Sequence, residues 1–109
     1  MTQKCKKSQK LIALESELLS VISQKTRLLI ICLLQEGPKC LCELAPLMDE
    51  DTSTISRHLN LLKDKGVLAT KKEGVRVKYW VRDKRVFKIL DIVDEILQAE
   101  INEKAQILR

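Results

Sequence analysis

The sequence predicts a mainly α fold with one small β-hairpin, in the order α-α-α-α-β-β-α, and three observations predict it. Apolar residues recur at helical spacing up to about Lys65 and again beyond Asp83. Between these stretches, from Val67 to Arg82, the period changes to alternation about Glu73-Gly74, as in a hairpin. A tight acidic turn, Met48-Asp49-Glu50-Asp51, separates the third helix from the fourth.

Taken in order, Ser8 can cap a first helix whose Leu11, Ile12, Leu14, Leu18, Leu19 and Ile22 form an apolar stripe. Ser23 opens a second helix, from Gln24 to about Gln35. Its run Leu28-Leu29-Ile30-Ile31-Cys32-Leu33-Leu34 is apolar nearly all round, which predicts a buried central helix with Cys32 in the core. Gly37-Pro38 ends it, because glycine accepts a left-handed cap and proline cannot continue a helix. A short third helix is expected over Leu41 to Met48. Asp51 is a good cap for the fourth, from Thr52 to Lys65. At about 100° per residue, Ile55, Leu59 and Leu62 share one face, while Ser53, Ser56, Arg57 and Asn60 share the other. Gly66 stops this helix. Strands Val67–Lys72 and Val75–Arg82 follow, the second alternating Val75, Val77, Tyr79 and Val81 with Arg76, Lys78, Trp80 and Arg82. Asp83 then caps a long last helix striped with Val86, Ile89, Leu90, Val93, Ile96, Leu97 and Ile101. This order is that of a winged helix-turn-helix, here a single domain over 1–109 with an N-terminal arm.

Composition narrows the function. A chain of 109 residues has room for one domain and gains from doubling its core by dimerising. Aromatic content of 3% leaves no sheet platform for stacking single-stranded bases. The net charge of +5 is uneven: residues 63–88 hold ten basic and three acidic side chains, a footprint for a polyanion. Four cysteines behind a start, Met1-Thr2-Gln3-Lys4, that lacks an apolar leader argue against a secreted disulfide scaffold, and no stretch has membrane-span length. A cytosolic chain with no membrane partner is expected. No phosphate loop, paired-carboxylate pocket or plausible triad is present, so an enzyme is not.

The fourth helix presents Thr52, Ser53, Ser56, Arg57 and Asn60 on its outer side, short polar groups suited to the major groove. Arginine pairs with guanine and asparagine with adenine, while serine and threonine serve bases or phosphates. The hairpin adds Lys71, Lys72, Arg76 and Lys78 for phosphates, which predicts salt-dependent binding to duplex DNA.

The segments Cys40-Leu41-Cys42-Glu43-Leu44, Ser53-Thr54-Ile55-Ser56-Arg57-His58-Leu59, Leu61-Leu62-Lys63-Asp64-Lys65-Gly66-Val67-Leu68 and Lys72-Glu73-Gly74-Val75-Arg76-Val77-Lys78-Tyr79 strongly resemble the ArsR/SmtB family of metal- and metalloid-sensing repressors. The resemblance runs from about residue 20 to residue 97. It implies homodimers that hold an operator until an inducer binds, with the terminal helices at the dimer interface. Cys-Leu-Cys-Glu is similar to the box of the arsenic, cadmium and lead sensors. Two features depart from the family pattern. The third cysteine of one arsenic-sensing branch is Ala45 here, and the last-helix zinc positions read Asp83-Lys84-Arg85 and Ile96-Leu97-Gln98-Ala99.

Cys40 and Cys42 are the sharpest chemical feature. A thiolate pair with one further thiolate suits trivalent arsenic or antimony, and with a fourth ligand cadmium, lead or zinc. On a regular helix two residues apart, the side chains diverge by about 200°, so chelation requires an irregular start to the third helix. Pro38 and Pro46 favour that irregularity. Binding would then deform the helix that supports the recognition helix. Cys5, on a basic arm with Lys4, Lys6 and Lys7, is the expected third thiolate, in line with the N-terminal cysteines of the cadmium and lead sensors. His58, the only histidine, reads as a packing or hydrogen-bonding group rather than a ligand. Two alternatives stand beside this one. The first is a thiol redox switch on the same fold, with Cys5 bonded to Cys40 or Cys42. The second is a dimeric protein-interaction module with structural zinc.

Overall fold

The computed structural model describes residues 5–107, so Met1 to Lys4, including the first lysine of the expected arm, lie outside it. Helix α1 spans Gln9–Ile22, with the Ser8 hydroxyl accepting from the Leu11 amide at 3.1 Å. Helix α2 spans Lys25–Leu33 and is capped by the Gln24 side chain, not by Ser23 as expected. It tightens into a 3-10 turn at Leu34–Glu36 and stops at Gly37, whose φ of 138° is open to glycine alone. Strand β1, Lys39–Cys40, leads directly into helix α3, Leu41–Leu44, and a second 3-10 turn, Ala45–Leu47. The sequence predicted one helix to Met48. The regular part ends after one turn because Pro46 has no N–H to give it.

Helix α4, Thr52–Asp64, has a buried stripe of Ile55, Leu59 and Leu62. Gly66, at φ 79°, closes it. The Gly66 amide bonds the Lys63 carbonyl at 3.0 Å and the Val67 amide bonds the Leu62 carbonyl at 2.9 Å, a Schellman cap with buried Leu62 and Val67 at its ends. Strands β2, Leu68–Glu73, and β3, Arg76–Val81, form the hairpin, and β1 adds to its other side to give the order β1-β3-β2, all antiparallel. The turn residues are Gly74-Val75, one step later than expected. Gly74 holds φ 63° at the first turn position, as a II′-type connection needs. Val75 is therefore at the tip, 99% exposed, and not on the apolar strand face. Helix α5, Arg85–Ile107, starts where the Asp83 carboxylate accepts from the Arg85 amide at 3.0 Å.

One core gathers Ile30, Ile31, Leu44, Ile55, Leu59, Leu62 and Leu68, with the wing and α5 contributing Val81 and Val86. The expectation for α2 is corrected on one face: Ile30 and Ile31 are buried, but Leu29 and Cys32 are exposed. Lys25 and Glu36, at helical spacing from them, share that exposure. The terminal helices are more open still. Leu14 and Leu19 on α1, and Ile92, Ile96 and Ile101 on α5, are about half exposed or more in the single chain. Among the described residues no helix is long and apolar enough to cross a membrane.

Candidate nucleic-acid interface and thiol site

Helix α4 exists because its apolar side is buried, and that burial leaves the opposite side outward. Thr52, Ser53, Arg57 and Asn60 are exposed, and Ser56 is half-buried beside them. Asp51, extended at the cap position, accepts from the Ser53 hydroxyl at 2.7 Å. The Thr54 and Ser53 hydroxyls hold its carboxyl below the usual range, so it stays charged at the positive end of the helix. The five expected groups lie along one side of one helix. In the wing, Lys71, Lys72 and Arg76 are exposed.

Lys78 behaves differently from its strand neighbours. Its ammonium is paired with the Glu43 carboxylate of α3, and its side chain is only 24% exposed. Glu43 also accepts from the Cys40 amide at 3.0 Å, completing a capping box at the start of α3. The Lys78 bond first, and the Cys40 amide second, hold the Glu43 carboxyl below its ordinary value. Alternation alone put Lys78 with the phosphate-facing cations; its partner, 35 positions earlier in the chain, was out of reach of that reasoning. The spacing Cys40-x-x-Glu43 was the available signal, since a capping box puts an acid three residues after the cap.

Cys40 is buried in an extended conformation, φ −87° and ψ 168°, while Cys42 sits on the first turn of α3 and is exposed. This break from helical geometry at Cys40 is the irregularity that the spacing required. The two sulphurs meet and are joined as a disulfide, with the Cα atoms 5.2 Å apart. Strand β1 carries Cys40 into the wing, pairing Lys39 with Tyr79 and Cys40 with Lys78. A cavity of about 440 Å³ lies between the thiol segment, Thr52 at the start of α4 and Arg76, Val77 and Tyr79 of the wing.

Cys5 is exposed and free, so the expected alternative bond from Cys5 to Cys40 or Cys42 is replaced by one within the pair. Among the described residues no group of three or more His, Cys, Asp or Glu side chains is placed to hold a metal ion. Within one chain the donor set is therefore two sulphurs, which fits a soft ion only with a donor from elsewhere. Cys32, expected in the core, is exposed on α2. His58 lies at the edge of the buried side of α4, as expected, with Nδ1 3.1 Å from the Arg27 guanidinium. Arg27, the second cation of α2 after Lys25, carries no spacing signal that would mark it in the sequence.

The family model described as "Bacterial regulatory protein, arsR family" matches residues 24–70, from the cap of α2 into β2. An uncharacterized HTH-type transcriptional regulator of Methanocaldococcus jannaschii is 38% identical over 82 residues, covering 74% of this chain and 92% of that protein. The arsenical resistance operon repressor of Escherichia coli is 36% identical over 91 residues, 83% of this chain and 77% of its own length. Among solved structures, the homodimeric winged helix-turn-helix DNA-binding domain Mb0332 of Mycobacterium bovis superposes with a TM-score of 0.73 at 21% identity, covering 90% of this chain and 91% of that one. Such relatives are regulators and not enzymes. With the recognition helix, wing and core all in place, the chain belongs to the ArsR family of winged helix-turn-helix transcriptional regulators.

Proposed function

We propose that this chain is a dimeric repressor that leaves its operator when Cys40 and Cys42, as thiolates, bind a soft metalloid or metal. Trivalent arsenic or antimony fits the pair with one further thiolate; cadmium, lead or zinc needs a fourth donor. The observation that carries the reading is the place of the thiol pair. Cys40 is laddered to Lys78 of the wing, and Glu43, three residues on, bonds both the Cys40 amide and the Lys78 ammonium. A change of state at the two sulphurs therefore acts on the wing and on the start of α3, the two supports flanking α4. The arsenical repressor of Escherichia coli, similar over most of this chain, supports the choice of inducer class.

The operator-facing set is Thr52, Ser53, Ser56, Arg57 and Asn60 on α4, with Lys72 and Arg76 on the wing. Lys78 joins the phosphate contacts only when its bond to Glu43 is released. The half-exposed apolar faces of α1 and α5 meet those of a second copy, since a single chain gains nothing by leaving them wet. Homodimeric Mb0332, of the same fold, supports this arrangement. Cys5 of the partner copy, or a small-molecule thiol, supplies the third sulphur.

The Cys40–Cys42 bond favours one second reading, a redox switch within the pair. Two thiols would lose two electrons and two protons to a peroxide, which becomes water or an alcohol with water, as the disulfide forms. A gel-shift on the DNA upstream of the chain's own gene separates the two. Reduced protein titrated with arsenite, antimonite, cadmium, lead and zinc releases DNA under the first reading, and Cys42→Ser resists. Release by peroxide but by none of the ions establishes the second.

A further inference from the structure

We infer that Arg27 is a positioning residue for operator recognition, fixing the recognition helix to the end of α1 and so setting the separation of the two recognition helices in a dimer. Its guanidinium makes contacts in two directions. Nε donates to the Val21 carbonyl, and Nη2 reaches the Ser20 carbonyl at 3.5 Å beside the Ser23 hydroxyl, which donates to it at 3.1 Å. Both carbonyls are among the last of α1, beyond its regular backbone ladder. In the other direction Nη1 meets Nδ1 of His58 at 3.1 Å. Arginine has donors only, so Nδ1 accepts and the imidazole is neutral with its proton on Nε2. Burial first, then the charges of Arg27 and Arg57, lower the His58 pKa and hold it in that state against the opposing pull of Glu50.

The residue before Arg27 makes a second tie. The buried Thr26 hydroxyl donates to the Glu50 carboxylate at 3.0 Å, in the turn that leads into α4. Two consecutive residues near the start of α2 thus hold the turn and the helix that read DNA. His58 adjoins Arg57, so this tie lies directly under the operator-facing side. The inference rests on the dimer reading above, which places α1 in the interface. The path from one copy's α4 to the other's then crosses Arg27 in each copy, and half-sites lie about 34 Å apart on DNA.

The test uses the full-length protein and the duplex that the wild-type protein selects from a random pool. Arg27→Gln and His58→Ala are each expected to remain dimers by sedimentation, with unchanged affinity for a duplex of unrelated sequence. Each loses about tenfold of its preference for the selected duplex, the scale of a broken polar contact. The decisive readout is spacing. A duplex with one base pair inserted between half-sites is rejected by the wild type and accepted nearly as well as the parent by the variants. The double variant loses no more than Arg27→Gln alone, because the His58 contact is already gone in that variant. A folded variant that keeps the wild-type spacing profile, or single effects that simply add, overturns the inference. If Arg27→Gln does not fold, His58→Ala carries the same test from the opposite side. A monomeric wild type on DNA would instead remove the dimer reading, and this inference with it, a result visible before any variant is made.

Discussion

Helix α4 and the thiol segment, residues 39–47, are neighbours in the chain built on opposite principles. The helix buries Ile55, Leu59 and Leu62 completely and is closed at its end by Gly66 with two backbone bonds. The thiol segment is a two-residue strand, a single helical turn and a 3-10 turn, and its main polar bonds run to Glu43 and to the wing. Low local stability belongs where a protein must move, and a well-packed helix is suited to presenting fixed groups to a groove. Under the proposed function, this difference suits α4 to reading and the thiol segment to switching.

The comparison breaks most visibly under truncation of side chains. Leu59→Ala is expected to cost about 2–5 kcal/mol, while Leu47→Ala, at 55% exposure, stays within about 0.5 kcal/mol. Urea denaturation of both variants at one protein concentration checks the contrast; equal costs would mean that Leu47 is as firmly packed as Leu59. Leu44→Ala, at the fully buried anchor of the thiol segment, should cost as much as Leu59→Ala. Arg57→Ala comes next. Loss of about 1–3 kcal/mol of operator affinity is expected with an unchanged urea midpoint, read by gel-shift at fixed salt. Undiminished affinity would remove α4 from the groove.

Smaller effects concern pH. The His58 pKa is lowered in the folded chain, so the unfolded chain takes up that proton first as pH falls. Stability therefore declines as pH drops through about 6.5 towards the folded value, and His58→Gln flattens that part of the profile. Glu43 titrates lower. Its folded pKa lies below the ordinary value, so the stability from its bonds is present above about 4.5 and is lost as pH falls through the folded value. Exchange of the Cys40 amide, followed by NMR, should rise over that acid range and should be fast at all pH in Glu43→Ala. It should lose its pH dependence in Glu43→Gln, whose amide oxygen still accepts.

How much of this was legible in the sequence follows the same division. The stripe of α4, its acidic cap position and Gly66 sit within one short window, so local spacing was enough. Strand β1 was not legible, because two residues carry no alternation and Lys39–Cys40 is a strand only by pairing with β3. The Cys-x-Cys spacing pointed to a break in the helix, but the Glu43–Lys78 bond joins residues far apart in sequence. The apolar run of α2 predicts Cys32 and Leu29 in the core, but Lys25 and Glu36 lie on the same face and mark it as outward. For α1 and α5 the stripes were visible, yet periodicity says which side is apolar and not what covers it.

Hydrogen exchange on the operator-bound, reduced protein tests the division between reader and switch most directly. On adding arsenite in amounts that release DNA, the account predicts faster exchange at Cys40, Lys78 and Tyr79, where β1 and the wing are joined, with the amides of Leu59 to Leu62 in α4 as protected as before. Release accompanied by loss of protection within α4, while the pairing of β1 with β3 stays closed, would contradict it.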